Sequence, residues 1–307
     1  MEFSHIPVLL APCIEGLSID PTGVYLDGTA GGAGHSREIA KRLTTGRLVA
    51  LDQDPDAVAT ATERLKGLPA RVVQANFRQA AQVLAELGIP ALNGALLDLG
   101  VSSHQLDDAE RGFSYHADAP LDMRMSQTGP TAADLVNTLD REELTRILRD
   151  YGEEPYAWQI AGKIVKEREK EPITTTLRLA ELVAAAVPPA ERRKSKNPAR
   201  RTFQAVRIAV NSELDALNEG LDAIFGCLAP GGRLCVITFH SLEDRLVKNK
   251  FRRWAQSCIC PPQQPICTCG GKAKAKLITR KPIEADGQEL EENRRSRSAK
   301  LRVLEKL

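Results

Sequence analysis

Leu26-Asp27-Gly28-Thr29-Ala30-Gly31-Gly32-Ala33-Gly34-His35-Ser36, followed by Gly46-Arg47-Leu48-Val49-Ala50-Leu51-Asp52, reads as strand, glycine loop, helix, strand, acid. Such a unit lets backbone approach a ligand closely at the first turn and sets a carboxylate at the end of the next strand, where adenosine ribose hydroxyls are held. Glycine-rich turns also arise wherever a chain must bend with φ > 0, so the loop alone does not define a ligand. Asp52, 25 positions after Asp27, supplies the second half of a nucleoside site.

The spacing narrows the cofactor. A G-x-G-x-x-G fingerprint starting at Gly32 meets Gly34 and then Arg37, and one starting at Gly28 meets Ala30, so the nicotinamide reading loses its main support. An acid followed by small residues in alternate positions, Asp27 then Thr29, Gly31 and Ala33, fits a methyltransferase loop better and favours S-adenosylmethionine.

Outward from this unit, Val24–Asp27, Leu48–Asp52, Ala70–Ala75 and Ala95–Leu99 are short apolar runs. Helical patterns separate them at Ser36–Leu43, Pro55–Leu65 and Gln79–Leu87. Strand alternating with helix predicts a buried parallel sheet. Asp54-Pro55 is a helix start, an N-cap acid before a first-turn proline. After Ser103 the strand rhythm stops and helical patterns follow at Ala132–Leu139, Arg141–Arg149, Tyr156–Lys170 and Leu177–Val187. A stretch from Pro188 to Arg201, with Pro188-Pro189 and Asn197-Pro198, reads as a linker back to the core. Strand character returns at Gly232–Phe239, and Lys276–Arg280 with Lys300–Leu304 predicts a closing antiparallel pair. The fold class expected is therefore α/β, a Rossmann-like seven-stranded class I methyltransferase core (1–105 and 206–307) with an inserted helical domain (106–205), to which the resemblance given below adds a substrate-recognition role.

The 307 residues are 42% hydrophobic and 27% charged, with a net charge of +2, as in an ordinary globular protein. The start of the chain lacks a basic, then apolar, leader, and no run approaches the roughly 18 apolar residues of a membrane span. A cytoplasmic protein with no membrane partner is expected. Basic residues crowd into Arg192–Arg201, Arg245–Arg253, Lys272–Lys281 and Arg294–Lys300. One such run is an ordinary solvated face; several beside a nucleoside crevice favour contacts with nucleic-acid phosphates. Phe113, Tyr115, Tyr156, Trp158 and Trp254 are candidates to stack on bases, with core packing as the competing role.

Ligands of open α/β sheets bind outside the carboxyl ends of the strands, where Asp27, Asp52, Asp98 and His240 all fall. Asp98 follows an apolar run and stands two residues before Gly100, so its carboxylate is expected to face the crevice, or else to cap the next turn. Ser241-x-x-Asp244 reads as a helix N-cap with a first-turn acid, and His240 as a hydrogen-bonded structural residue or else a substrate contact. Cys258-x-Cys260 and Cys267-x-Cys269 offer four thiolates, enough for a tetrahedral zinc or else unmetallated thiols between Pro261-Pro262 and Gly270-Gly271; the C-x-C spacing departs from the usual knuckle, and no metal site is assigned.

Several blocks in order carry a resemblance: Asp27-Gly28-Thr29 with Gly34-His35-Ser36, Leu97–Asp107, Glu110-Arg111-Gly112-Phe113-Ser114, Leu121–Met125, Arg201–Arg207 and Phe239–Arg245. Together they closely resemble the bacterial ribosomal RNA small-subunit methyltransferase H family, also called MraW, from end to end. The resemblance implies S-adenosylmethionine-dependent methylation of N4 of a cytidine in the decoding region of 16S ribosomal RNA, cytosine 1402, within the small ribosomal subunit. It places cofactor contacts on Ala33, Gly34, His35, Asp52, Phe77, Asp98 and Gln105. Ala33 stands where family members often carry glycine, at little expected cost if its backbone N–H makes the contact. Asp98 is the candidate catalytic acceptor for an amino proton, although a D-P-P-Y-type amino-methyltransferase signature is absent. The alternatives are a non-catalytic ribosome-binding factor and a nicotinamide oxidoreductase.

Overall fold

The computed structural model describes residues 7–194, 197–258, 260, 264 and 271–307. The chain divides into two compact units, Met1–Gly100 with Asp215–Leu307, and Val101–Leu214. The first unit opens with α1 (Leu10–Leu17), then alternates β1 (Val24–Asp27), α2 (Gly34–Ala40), β2 (Arg47–Asp52), α3 (Pro55–Arg64), β3 (Ala70–Gln74), α4 (Ala80–Glu86) and β4 (Leu92–Asp98). The second unit carries α5 (Ser103–Asp107), α6 (Ala132–Thr138), α7 (Arg141–Gly152), α8 (Ala157–Arg168), α9 (Thr176–Ala186), α10 (Pro189–Lys194) and α11 (Arg200–Asn211). The chain returns to the sheet through α12 (Glu213–Cys227), β5 (Leu228–Thr238), α13 (Ser241–Ala255), β6 (Ala275–Leu277), α14 (Gly287–Glu292) and β7 (Lys300–Lys306).

The strands form one seven-stranded sheet in the order β3-β2-β1-β4-β5-β7-β6. The pairs from β3 through β5 are parallel, whereas β7 runs antiparallel to both β5 and β6. This is the Rossmann-like class I methyltransferase fold, as expected. Chain order reverses between β1 and β4, and a ligand crevice in such a sheet opens at that switch point, outside the strand ends. Asp27 and Asp98 end those two strands.

Alternation along each strand sends residues to opposite faces. Leu26, Val49, Leu51, Ala95, Leu97, Leu234 and Val236 pack with α4, α12 and α13. Tyr25, Leu48, Leu96, Cys235, Ile237, Leu301 and Val303 pack on the opposite face with α1 and α2. Both faces are covered, which is why these strands are continuous apolar runs rather than alternating ones. Asp54 caps α3 through Asp56 N–H at 3.1 Å, with Pro55 in the first turn.

Two expectations need correction. Pro188–Arg201 is not a plain linker: Pro189 opens α10, its fixed φ suiting the first helical position, with Glu191 in the first turn. The cap of α13 lies one residue earlier than expected. His240 is the N-cap, and Glu243 reaches back to the N–H groups of Phe239 (2.8 Å) and His240 (3.2 Å). Asp244 instead makes a two-pronged pair with Arg302 of β7, at 2.7 and 3.0 Å. The compact units divide at Gly100/Val101 and Leu214/Asp215, and Phe203, Ala205 and Val206 of α11 are buried together in the helical core.

Candidate methyl-transfer site

Asp27 is buried at the end of β1 and staples the loop that follows. It accepts hydrogen bonds from Ser36 Oγ at 2.6 Å and Thr29 N–H at 3.1 Å, so one carboxylate ties both ends of the turn. Burial pushes its pKa up, against those hydrogen bonds. Gly28 allows close packing: a Cβ there would lie 2.5 Å from Leu97 Cδ2 and 3.0 Å from Phe77 Cβ. Gly31, at φ +48, donates its N–H to Asp52 Oδ2 at 2.8 Å. Asp52 Oδ1 accepts the N–H of Asp54 at 2.9 Å. Burial pushes the Asp52 carboxyl up to about 6, with the hydrogen bonds from Asp54 and Gly31 opposing.

Ala33 departs from expectation. It is buried in the left-handed region, φ 61 and ψ 24, and its N–H donates to Ala30 O at 2.7 Å within the turn. The substitution for glycine therefore has a backbone cost that sequence reasoning discounted. Gly34 and His35 open α2 immediately after it.

Asp98 ends β4, and its backbone N–H donates to Thr29 Oγ1 at 2.6 Å, which locks the strand end to the glycine loop. Its side chain is 26% exposed, yet Oδ1 is itself shielded and has no hydrogen-bond partner. Oδ2 lies 3.6 Å from Nδ1 of His35. The other ring nitrogen, Nε2, is 3.0 Å from Val8 O, a carbonyl that can only accept, so Nε2 carries a proton and the ring is fixed with Nδ1 facing Asp98. Burial, then the negative charges of Asp27 and Glu243, push the Asp98 carboxyl up to about 8. A shielded carboxyl oxygen without a donor at the switch point suits a ligand that brings a positive charge or an N–H.

Phe77 follows β3 in a short 3₁₀ turn, Phe77–Gln79, and is half-buried. It rests against Gly220 of α12, where a Cβ would come within 2.4 Å of its Cδ2. Gly28, Phe77 and Gly220 thus stack as one layer, with nothing in the sequence near Gly220 to announce it. Thr29 and Gly220 are the residues that sequence reasoning missed. The structure brings Ala33, Gly34, His35, Asp52, Phe77 and Asp98 to one edge of the sheet. Gln105 belongs to the helical unit, where it is buried and its Oε1 accepts the N–H of Ser102 at 3.0 Å in the capping box of α5.

His240 has both ring nitrogens shielded, and Nε2 lies 3.1 Å from Glu243 Oε1, so the carboxylate that caps the helix also holds the ring. Among the stacking candidates, Trp254 lies flat on Phe225 at 4.1 Å in the core, and Tyr115 packs edge-on to Phe203. Trp158 is exposed, with the Arg141 guanidinium 3.7 Å from its ring centre. Cys267 and Cys269 lie outside the described residues; Cys260 donates its N–H to Cys258 Sγ at 3.4 Å. Among the described residues, no helix is long and apolar enough to cross a membrane.

Comparison with known proteins fits this geometry. The chain is 54% identical to the ribosomal RNA small subunit methyltransferase H of Symbiobacterium thermophilum, over 100% of this chain and 98% of that one. It is 56% identical to the protein of the same name from Carboxydothermus hydrogenoformans, over 100% and 99%. Among solved structures, it aligns with an rRNA methylase from Streptococcus thermophilus over 99% of both chains, at 11% identity and a TM-score of 0.45. The MraW methylase family matches residues 2–307. With its sheet order and its stapled glycine loop, this chain belongs to the MraW methylase family.

Proposed function

We propose that the protein is an S-adenosylmethionine-dependent methyltransferase that methylates N4 of a cytidine in the decoding region of 16S ribosomal RNA, acting in the cytoplasm on the small ribosomal subunit. The observation that carries this reading is full-length identity of 54–56% to proteins named as ribosomal RNA small subunit methyltransferases. The unpartnered Asp98 oxygen supports it, because it leaves an acceptor at the switch point.

S-adenosylmethionine, when bound, supplies an electrophilic methyl group on a sulfonium. In this reading the turn at Ala33, Gly34 and His35 would cradle it, Asp52 would accept from ribose hydroxyls, and Phe77 would contact the adenosine. Asp98 would hold the amino-acid end. Cytosine N4 is a weak nucleophile, since its lone pair is delocalised into the ring, so the site must hold it in line with the methyl group. Asp98 would accept a hydrogen bond from an N4 proton, which localises the lone pair, and would take that proton as the methyl group's bond to sulfur is exchanged for one to N4. The target base is splayed out of its stack to reach the crevice.

Mapping methylated nucleotides in 16S ribosomal RNA from cells with and without this protein tests the assignment. A single cytidine that loses its N4-methyl in the deletion is the expected result. An unchanged methylation map, with ribosome binding retained by the purified protein, would leave the non-catalytic binding factor instead.

A further inference from the structure

We infer that the turn before β7, bearing Arg294 and Arg297, is a phosphate clamp for the RNA strand at the mouth of the methyl-transfer crevice. The inference rests on the RNA substrate proposed above. Register supplies the location: Asp98 of β4 pairs with Ile237 of β5, and Ile237 pairs with Leu301 of β7. Because β7 is antiparallel, it begins where β4 and β5 end, with Thr238 opposite Lys300. Neighbouring strands are about 4.8 Å apart, so the start of β7 lies roughly 10 Å across the sheet from Asp98. The residues just before it emerge beyond the same edge, within reach of nucleotides flanking a base held at Asp98.

The turn is built to present its arginines. Arg294–Ser298 forms a 3₁₀ segment capped by Asn293, whose Oδ1 accepts Arg295 N–H at 3.2 Å. Ser296 is buried and its hydroxyl donates to Asn293 O at 2.6 Å, while Ala299 packs under the sheet. Small residues therefore point inward as anchors. Arg294 and Arg297 point outward, both exposed, and among the described residues neither has an ion-pair partner, although Glu291 and Glu292 immediately precede them. Lys300 is already engaged with Glu284 at 3.7 Å. Two unneutralised guanidiniums on a pinned backbone, beside a crevice with an unpartnered carboxyl, form an anion-binding edge of the kind that positions a nucleic-acid backbone.

The test compares Arg294→Gln/Arg297→Gln with a charge-matched control, Arg252→Gln/Arg253→Gln. The control pair is exposed in the last turn of α13, which starts at the crevice edge and runs about 20 Å away from it. Binding of a short cytidine-containing RNA is measured against salt, with S-adenosylmethionine affinity and thermal unfolding as separate readouts. The expected result is a salt slope lower by about 1.4 and RNA affinity weaker by on the order of tenfold at low salt, for the first variant only, with cofactor affinity and unfolding unchanged. Equal losses in both variants would show a diffuse charge effect and overturn the clamp, as would no loss in either. Unchanged RNA binding with lost binding to phosphatidylglycerol vesicles would make the edge a lipid surface and overturn it too. Because RNA binding is read without turnover, an inactive wild-type protein would sink the proposed function while this comparison still decides the clamp.

Discussion

Ala33 is held at φ 61 with its methyl group buried among Ala30, Ala50, Ala61 and Leu65, so two small effects oppose there. Left-handed backbone costs an L-residue about 1–2 kcal/mol. Removing the methyl forfeits about 0.8 kcal/mol of burial, and glycine adds about 0.5–1 kcal/mol of unfolded-state entropy. Ala33→Gly should therefore change stability in urea unfolding by no more than about 1 kcal/mol. Ala33→Val, branched at the β-carbon, should lose more than about 2 kcal/mol. Asp98 presents a sharper conflict, because a carboxyl pushed up to about 8 by burial is costly to ionise yet is the group assigned to the ligand. Asp98→Asn should raise unfolding stability at pH 7.5 by about 1–3 kcal/mol while cutting methyl transfer at saturating cofactor at least tenfold. Intact transfer in that variant would remove the acceptor role.

The start of α13 is joined to β7 by one ion pair, Asp244 with Arg302, whose side chain is 8% exposed. Burial works to raise the Asp244 carboxyl, but the Arg302 guanidinium outweighs it and holds it below the usual range. Arg302→Ala strands a half-buried carboxylate and should cost about 3 kcal/mol, whereas Arg302→Ala with Asp244→Ala should cost less than the sum of the single changes. Denaturant unfolding of the four proteins measures that coupling. This pair also shows what sequence could and could not supply. The glycine loop, the acid at Asp52 and the apolar runs were readable because burial on both sheet faces leaves an unbroken local pattern. The pairing of Asp244 was not, since Arg302 is 58 residues away and Ser241-x-x-Asp244 imitates a cap one residue out of place. The contact of Phe77 with Gly220 was hidden for the same reason: close approach between distant elements leaves no local spacing. The α10 turn was misread because two prolines signal a break, while the second also begins a helix well.

Over the whole molecule, Asp27, Asp52 and Asp98 gather at one sheet edge, and all three titrate above their ordinary value of 3.8 because burial disfavours the charge. The sign of the linkage follows. Below about pH 4 folded and unfolded chains both hold these protons, and no cost arises. As pH rises the unfolded chain releases them first, so stability falls until the folded groups ionise, near 6 for Asp52 and 8 for Asp98. Asp122 and Asp244, held low by Arg124 and Arg302 against their burial, contribute in the opposite sense and lose their effect in acid. The midpoint of thermal unfolding should therefore be highest in weak acid and decline toward pH 8, with Asp98→Asn flattening the upper part of the decline. A cofactor carrying positive charge to Asp98 binds the ionised form, so binding below pH 8 must expel a proton. Calorimetric titration of S-adenosylmethionine at pH 6.5, in buffers of different ionisation enthalpy, should show proton release approaching one. The release should vanish above pH 8.5, where the carboxyl is already charged, and also in Asp98→Asn. A proton count of zero at pH 6.5 in the unaltered protein would mean that the cofactor's charge is met elsewhere, and Asp98 would lose its place in the site.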